Sequence, residues 1–99
     1  MINSTLGKAA ASMRGVLSGN DRRFSGISTD TRTLKEGELF FALDGASYNG
    51  SDFVDKAAFK HAAAAVVNKE TTSNIPQIIV NNTYKALGEL AKWWRNQMD

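Results

Sequence analysis

The segment Leu39–Leu43 reads Leu-Phe-Phe-Ala-Leu and is apolar at every position. Because successive side chains of a β-strand point to opposite faces, a strand of this composition buries both of its faces. Such a strand needs one layer of structure above it and another below it. The segment therefore predicts a central strand of a sheet that is covered on both sides.

The rest of the chain alternates between helical and strand-like patterns. Three segments have the spacing of amphipathic helices, near residues 5–13, 52–61 and 83–97. Four more are strand-like: Val16–Ser18, Phe24–Ile27, Ala63–Val67 and Gln77–Val80. This order, in a chain of 99 residues, predicts one small single α/β domain with a central mixed sheet flanked by about three helices.

The ends of the first and last helices carry recognisable signals. Ser4 or Thr5 can cap the first helix, Gly15 is placed to end it, and Asn81-Asn82 can cap the last one. The last helix is predicted to bury a stripe of side chains that consists of Tyr84, Leu87, Ala91, Trp94 and Met98. Leu90 and Trp93 widen this stripe.

The composition excludes several classes of function. The chain has no cysteine and a single histidine, His61, so it offers no disulfide and almost no ligands for zinc. The N-terminus does not have the pattern of a secretion signal, and no run approaches the roughly 18 apolar residues of a membrane span. The net charge of +2 is scattered rather than gathered into a basic stripe. We therefore expect a soluble cytoplasmic protein that binds neither metal, membrane nor nucleic acid.

The motifs of common catalytic sites are missing from the sequence. It contains no G-x-x-x-x-G-K-S/T phosphate loop, no G-x-G-x-x-G and no H-E-x-x-H, and His61 has no nucleophile at a recognisable spacing. His61 is interpreted as a residue at the end of the second helix. No catalytic residue is predicted in this chain.

Two polar segments flank the Leu39–Leu43 strand and are candidates for ligand binding. The first is Ser28–Arg32, whose hydroxyls and carboxylate can recognise a uracil or a ribose and whose arginine can neutralise a phosphate. The alternative is a purely structural loop in which Asp30 pairs with Arg32 and the hydroxyls cap turns. The second is Gly45–Gly50, between the end of a strand and the start of a helix, where ligands gather in α/β sheets. The alternative there is an ordinary loop.

The stretch from Ser28 to Gly45, followed by Asn49-Gly50 and Phe53, resembles a signature of the Mur ligase family. That signature reads S-x-D-S/T-R-x-L/V-x-P-G-D/E-L-F-F/V-A-L-x-G and then D/N-G-H-x-F/Y. The likeness continues through the alanine-rich strand and the last helix. Three positions depart from it, with Glu36 for the usual proline, Ser51 for histidine and Ala62 for glycine. A histidine contact to the ligand is therefore in doubt, although Ser51 can still cap a helix.

The resemblance implies that residues 1–99 are the N-terminal domain of a three-domain ligase, binding the UDP end of UDP-N-acetylmuramoyl (UDP-MurNAc) tripeptide. A central domain would bind ATP and magnesium, and a C-terminal domain would complete the active site. Both are absent from this chain, so by itself it is expected to be inactive. It would need no cofactor, and its partners would be the substrate and those two domains.

The family's nucleotide contacts transfer to ten positions of this sequence. Of these, Thr31, Ala46, Ser47 and Tyr48 would lie nearest the uracil, and Asp30 and Arg32 would shape the loop. The full set is Ser28, Thr29, Asp30, Thr31, Arg32, Gly45, Ala46, Ser47, Tyr48 and Asn49.

The opening and closing segments resemble most the branch of the family that adds D-alanyl-D-alanine to the tripeptide. The branch that adds the third residue of the peptide carries a close version of the central motif and is one alternative. A non-catalytic interaction or nucleic-acid-binding module is the other.

Overall fold

The computed structural model of the chain describes residues 2–43 and 53–97. In chain order the elements are β1 (Asn3–Thr5), α1 (Leu6–Met13), β2 (Val16–Ser18), β3 (Arg23–Ser25), β4 (Ile27–Ser28), β5 (Leu39–Phe41), α2 (Val54–Phe59), β6 (Ala64–Val67), β7 (Gln77–Ile79) and α3 (Thr83–Gln97). No helix within the described ranges is long and apolar enough to cross a membrane.

The main sheet has five strands in the order β2-β7-β6-β5-β4. Strands β4 to β7 are parallel, and β2 runs antiparallel to β7 at one edge. The two remaining strands, β1 and β3, form a separate antiparallel pair. With three helices around this mixed sheet, the predicted fold class is confirmed.

The strand predicted at Leu39–Leu43 is buried as expected, but it is not the central one. Phe40 and Phe41 are 2% and 0% exposed. Strand β5 nevertheless lies second from the edge, between β4 and β6, and the central strand is β6. An apolar pattern on both alternations indicates that layers cover both faces, and it does not specify how many strands lie on either side.

Different helices cover the two faces of the sheet. Leu39 and Phe41 point into a core cluster formed with α1 and α3, whereas Phe40 points into a second cluster formed with α2. The side chains of β5 thus alternate between two cores, which is the period-two pattern of a strand buried on both sides.

The segment predicted as one strand at Phe24–Ile27 forms two strands that belong to different sheets. Gly26 separates them with a φ of 84°, in the left-handed region that favours glycine. Its N–H donates to the Ile2 carbonyl, and its own carbonyl accepts from the N–H of Leu39 at 3.0 Å. The kink lets β3 pair with β1, which the sequence pattern did not predict, and lets β4 pair with β5.

Two helix ends agree with those predicted from the sequence, and two differ. Thr5 caps α1 by accepting a hydrogen bond from the N–H of Lys8, and Asn82 accepts one from the N–H of Lys85 at the start of α3. The left-handed residue that ends α1 is Arg14, with a φ of 56°, rather than Gly15. Helix α2 ends at Phe59, before the predicted limit, and His61 follows it with a φ of 62°.

The buried stripe of α3 differs from the predicted one. The buried residues are Thr83, Ala86 and Leu90, with Leu87 and Trp93 at the margin of the core. Tyr84 is 56% exposed and Ala91 is exposed, so those two assignments are wrong. Apolar side chains occur on nearly every side of this helix. Close packing against α1 favours the smaller side chains, which residue type alone did not indicate.

Gly15 is required by close packing between the end of α1 and strand β7. A Cβ atom at this position would lie 2.7 Å from Cγ2 of Ile78, 2.8 Å from Cγ1 of Val80 and 3.0 Å from the carbonyl oxygen of Ile79. These atoms belong to the core and the sheet, so they have little room to move.

We predict that Gly15→Ala lowers the free energy of unfolding by about 1–3 kcal/mol through overpacking. The matched control is Gly88→Ala in α3, where a Cβ atom would meet nothing within 4 Å. That substitution should stabilise the chain by up to about 1 kcal/mol because alanine favours the helix. Urea unfolding of both variants measures the two effects, and a Gly15→Ala variant as stable as the parent would contradict the packing described.

Candidate functional site

The carboxyl ends of β4 and β5 open into a cavity of about 500 Å³. Because parallel strands end at the same edge of a sheet, the loops that follow them meet there. The residues lining the cavity come from the loop after β4, from β5 and its end, and from the start of α2: Thr29, Asp30, Thr31, Arg32, Phe40, Leu43, Phe53 and Lys56.

Four of the five residues predicted in the first polar segment line this cavity, and the fifth, Ser28, shapes the turn. The hydroxyl of Ser28 accepts from the N–H of Asp30 at 3.2 Å and donates to the carbonyl of the same residue at 2.9 Å. The N–H of Thr33 also donates to that carbonyl, at 3.2 Å. The backbone of the loop is therefore fixed by its own hydroxyls and amides.

Asp30 and Arg32 pair with each other, as the structural alternative for this loop expected. The guanidinium donates to the carboxylate from Nε at 3.1 Å and from Nη2 at 2.8 Å, and the backbone N–H of Arg32 donates to Oδ1 at 2.9 Å. Side-chain exposure is 87% for Arg32 and 37% for Asp30. The pair lies at the rim of the cavity and holds the loop in a closed turn.

These hydrogen bonds determine the ionisation of Asp30. The side chain of Arg32, and next its backbone N–H, lower the pKa of the carboxyl from 3.8 to about 2. In the other direction, the carboxylate raises the pKa of the Arg32 guanidinium. At neutral pH the carboxylate is therefore ionised and its oxygens are occupied, which suits a structural acceptor and does not suit a general base.

Thr31 is the residue of the loop that points inward. It is 7% exposed and lines the cavity, and its hydroxyl has no hydrogen-bond partner among the residues that the structure describes. A buried hydroxyl beside an open cavity is available to a ligand.

The apolar floor of the cavity and its cationic side were not predicted from sequence. Phe40, Leu43 and Phe53 supply the floor, and Lys56 of α2 supplies the cation, with its Nζ 5.1 Å from the centroid of the Phe53 ring. Lys60, the residue that follows the end of α2, donates from Nζ to the carbonyl of Arg32 at 3.4 Å. The sequence separates Lys56 from the Ser28–Arg32 loop, and only the crossover from β5 through α2 brings them together.

The second predicted segment lies outside the described residues. It comprises Gly45, Ala46, Ser47, Tyr48 and Asn49, and Ser51 falls outside as well. The described residues that precede and follow this stretch are Leu43 and Phe53, and both line the cavity.

The cavity combines an apolar floor with a hydroxyl, a cation and a fixed polar rim, which is the composition of a binding site for an amphipathic small molecule. Within residues 2–43 and 53–97, no group of three or more histidine, cysteine, aspartate or glutamate side chains could hold a metal ion. The arrangement of the described residues is suited to recognising a small molecule.

Comparison with known proteins shows similarity to ligases of the Mur family. Residues 23–95 match the family model described as Mur ligase family, catalytic domain. The chain is 40% identical over 98 residues to the UDP-N-acetylmuramoyl-tripeptide–D-alanyl-D-alanine ligase of Escherichia coli K12, covering 99% of this chain and 22% of that protein. The UDP-N-acetylmuramoyl-L-alanyl-D-glutamate–2,6-diaminopimelate ligase of Aquifex aeolicus is 40% identical over 70 residues, covering 71% of this chain and 14% of that protein.

Solved structures show the same similarity. A crystal structure of MurF from Acinetobacter baumannii superposes with a TM-score of 0.89 at 25% identity, covering 98% of this chain and 22% of that one. The MurF ligase of Thermotoga maritima in complex with ADP gives a TM-score of 0.62 at 26% identity over 69% of this chain and 16% of that one. The chain therefore spans about a fifth of the length of the D-alanyl-D-alanine ligase relatives that it matches over nearly its whole length.

We predict that Arg32→Ala raises the pKa of Asp30 part of the way from about 2 towards 3.8, because the side-chain hydrogen bonds are lost and the backbone N–H bond remains. The lowered pKa means that the stabilisation from ionised Asp30 is complete above pH 3.8 and is lost as the pH falls through 2. The variant should therefore lose less stability than the parent between pH 4 and pH 2.

An NMR titration of the Asp30 carboxyl carbon measures this shift. Arg95→Ala, which removes an exposed arginine from the last turn of α3, is the matched control and should leave the titration unchanged. An unchanged titration in Arg32→Ala would show that the pair does not hold the carboxylate.

Proposed function

The chain belongs to the Mur ligase family, and on that basis we propose that it binds the nucleotide end of a UDP-muramoyl-peptide substrate. In this proposal it is the N-terminal domain of an ATP-dependent cytoplasmic ligase that adds D-alanyl-D-alanine to UDP-MurNAc-tripeptide. The chain holds the substrate, and other parts of the same ligase carry out the bond-forming reaction.

The cavity at the carboxyl ends of β4 and β5 is the observation that carries the proposal. Its volume of about 500 Å³ lies in the range of small-molecule sites, roughly 300–1,000 Å³. The aromatic rings of Phe40 and Phe53 offer an apolar surface to a planar base. The hydroxyls of Thr29 and Thr31 offer donors and acceptors to the polar edge of a uracil.

The ten predicted substrate-binding residues divide into three roles in this proposal. Thr29 and Thr31 contact the nucleotide, whereas Ser28, Asp30 and Arg32 keep their loop in the conformation that presents those threonines. The family resemblance assigns Gly45–Asn49 to the nucleotide as well, and this segment lies outside the described residues.

The sequence supports assigning ATP and magnesium to other parts of the ligase. The chain lacks a G-x-x-x-x-G-K-S/T loop, while the solved Thermotoga maritima relative is described in complex with ADP. The matched family model is described as a catalytic domain. In our proposal this chain contributes to catalysis by positioning the substrate, and phosphoryl transfer depends on residues beyond the 99 of this sequence.

Two observations favour the D-alanyl-D-alanine branch over the diaminopimelate branch. The Escherichia coli relative aligns with 99% of this chain, and the Aquifex aeolicus relative with 71% at the same identity. The Acinetobacter baumannii MurF structure also superposes over 98% of the chain. The shared central motif does not separate the branches, so the length of the match supports the choice.

We predict that UDP binds this chain and that Thr31→Val weakens the binding by on the order of 1 kcal/mol, about fivefold in Kd, because one neutral hydrogen bond is lost. Calorimetric titration with UDP measures the change. Thr33→Val is the matched control, since Thr33 lies in the same loop without lining the cavity. The proposal fails if UDP does not bind the parent chain or if the two variants bind it equally well.

A further inference from the structure

A groove of about 380 Å³ lies at the amino edge of the main sheet, opposite the edge that carries the cavity described above. Residues 36–37, 62–63 and 75 line it, and they come shortly before strands β5, β6 and β7. These three strands are parallel, so the segments that precede them meet at one edge. The other lining residues come from the start of β3 and from the end of α2.

Two arginines supply the positive charge of this groove, which we call the arginine groove. Arg22 and Arg23 are adjacent in sequence, both are exposed and both line the groove. Among the residues that the structure describes, neither guanidinium makes an ion pair or a hydrogen bond, in contrast to Arg32, which pairs with Asp30. A single carboxylate, that of Glu36, is present among the described lining residues. Two guanidinium groups are therefore available to an anionic ligand.

Backbone hydrogen bonds join the three segments that form the groove. The N–H of Ser25 in β3 donates to the carbonyl of Gly37 at 2.9 Å, and the N–H of Gly37 donates to the carbonyl of His61 at 2.9 Å. The N–H of Ala63 donates to the carbonyl of Glu38 at 2.8 Å. The walls are thus held in place without a ligand, which reduces the entropic cost of binding one.

The arginine groove continues into a second cavity of about 430 Å³ beside the β1–β3 pair. Arg23 and Gly37 line both cavities, so the two are contiguous. At their junction a Cβ atom on Gly37 would meet nothing within 4 Å, so the passage is open. Ala58 and Ile75 give the first cavity an apolar part. An extended cleft with cations and an apolar patch suits a short peptide better than a single small anion.

We propose that the arginine groove docks an acidic peptide segment of a partner protein and leaves the cavity at the carboxyl edge open. Carboxylates of the segment pair with Arg22 and Arg23, and an apolar side chain between them contacts Ala58 and Ile75. A single-stranded nucleic acid fits less well, because such strands stack their bases on aromatic rings. Phe24 is the one phenylalanine, tyrosine or tryptophan among the described lining residues, and it is 2% exposed.

The experiment is an NMR titration of the ¹⁵N-labelled 99-residue chain with the peptide Glu-Glu-Leu-Glu-Glu, capped at both ends. We expect the largest amide shifts at residues 22, 23, 36, 37 and 61, which line the groove, and weaker binding at high salt. The charge-reversed peptide Lys-Lys-Leu-Lys-Lys should not bind. Saturating UDP should leave the affinity for the acidic peptide within about twofold, because the two sites are at opposite edges.

Charge variants of the groove test the assignment in both directions. Arg22→Gln and Arg23→Gln should each weaken peptide binding about two- to fivefold, since each removes one exposed ion pair. Glu36→Gln removes the opposing carboxylate and should strengthen binding about twofold, which a loss of folding cannot produce. Arg95→Gln is the matched control, because it removes an exposed arginine from α3 with the same change in net charge. It should leave the affinity within about twofold.

Four outcomes would overturn the inference. The peptide does not bind, or Arg95→Gln weakens it as much as the groove variants do, which would indicate attraction to net charge alone. Inorganic phosphate binds the same residues as tightly as the peptide, which would indicate a small-anion site. Oligothymidylate binds them more tightly, which would indicate a nucleic-acid surface. None of these results bears on the proposed function, which the binding of UDP to the opposite edge tests separately.

Discussion

The parallel pairing of β5 with β4 on one side and β6 on the other is the interaction on which the rest of the structure depends. Phe40 lies opposite Ser28 in β4 and opposite Ala65 in β6, so the strands end together at one edge. The alanines of β6 leave room for the phenylalanines of β5 to fill both cores. Among the described residues, both faces of the sheet are covered, and the loop after β4 lines a cavity at the carboxyl edge, where ligands bind in α/β sheets.

At this edge of the sheet, some polar groups of the loop after β4 bond to each other and others line the cavity. Asp30 and Arg32 satisfy each other at the rim, and the lowered pKa of Asp30 keeps its carboxylate ionised as an acceptor. The loop is thereby ordered without the ligand, which reduces the entropic cost of binding. Thr31 is the neighbouring group that remains unpaired among the described residues, and it lines the cavity beside the aromatic floor. In our proposal, a domain built in this way binds a nucleotide and leaves the chemistry to other parts of a ligase.

The sequence predicted which strands are buried more closely than it predicted how the strands pair. The apolar alternation of Leu39–Leu43 predicts burial on both faces, which is confirmed, but pairing partners are set by contacts distant in sequence, so β6 rather than β5 is central. The sequence pattern placed Gly26 inside a strand, and its positive φ shows that the strand is interrupted there. For the site, the polar loop was predicted from residue type, and the Asp30–Arg32 pair follows from short spacing. Lys56 and the aromatic floor reach the cavity only through the β5-α2-β6 crossover, and local pattern carries no signal for that.

The central claim is that a uracil nucleotide occupies the groove between the Ser28–Arg32 loop and α2. Amide chemical-shift mapping of the ¹⁵N-labelled chain during titration with UDP tests this most directly. We expect the largest perturbations at residues 29–32, 40, 53 and 56, which line the cavity. Perturbations confined to the opposite face of the sheet, on α1 and α3, would contradict the account, because they would place the nucleotide on the far side of the core.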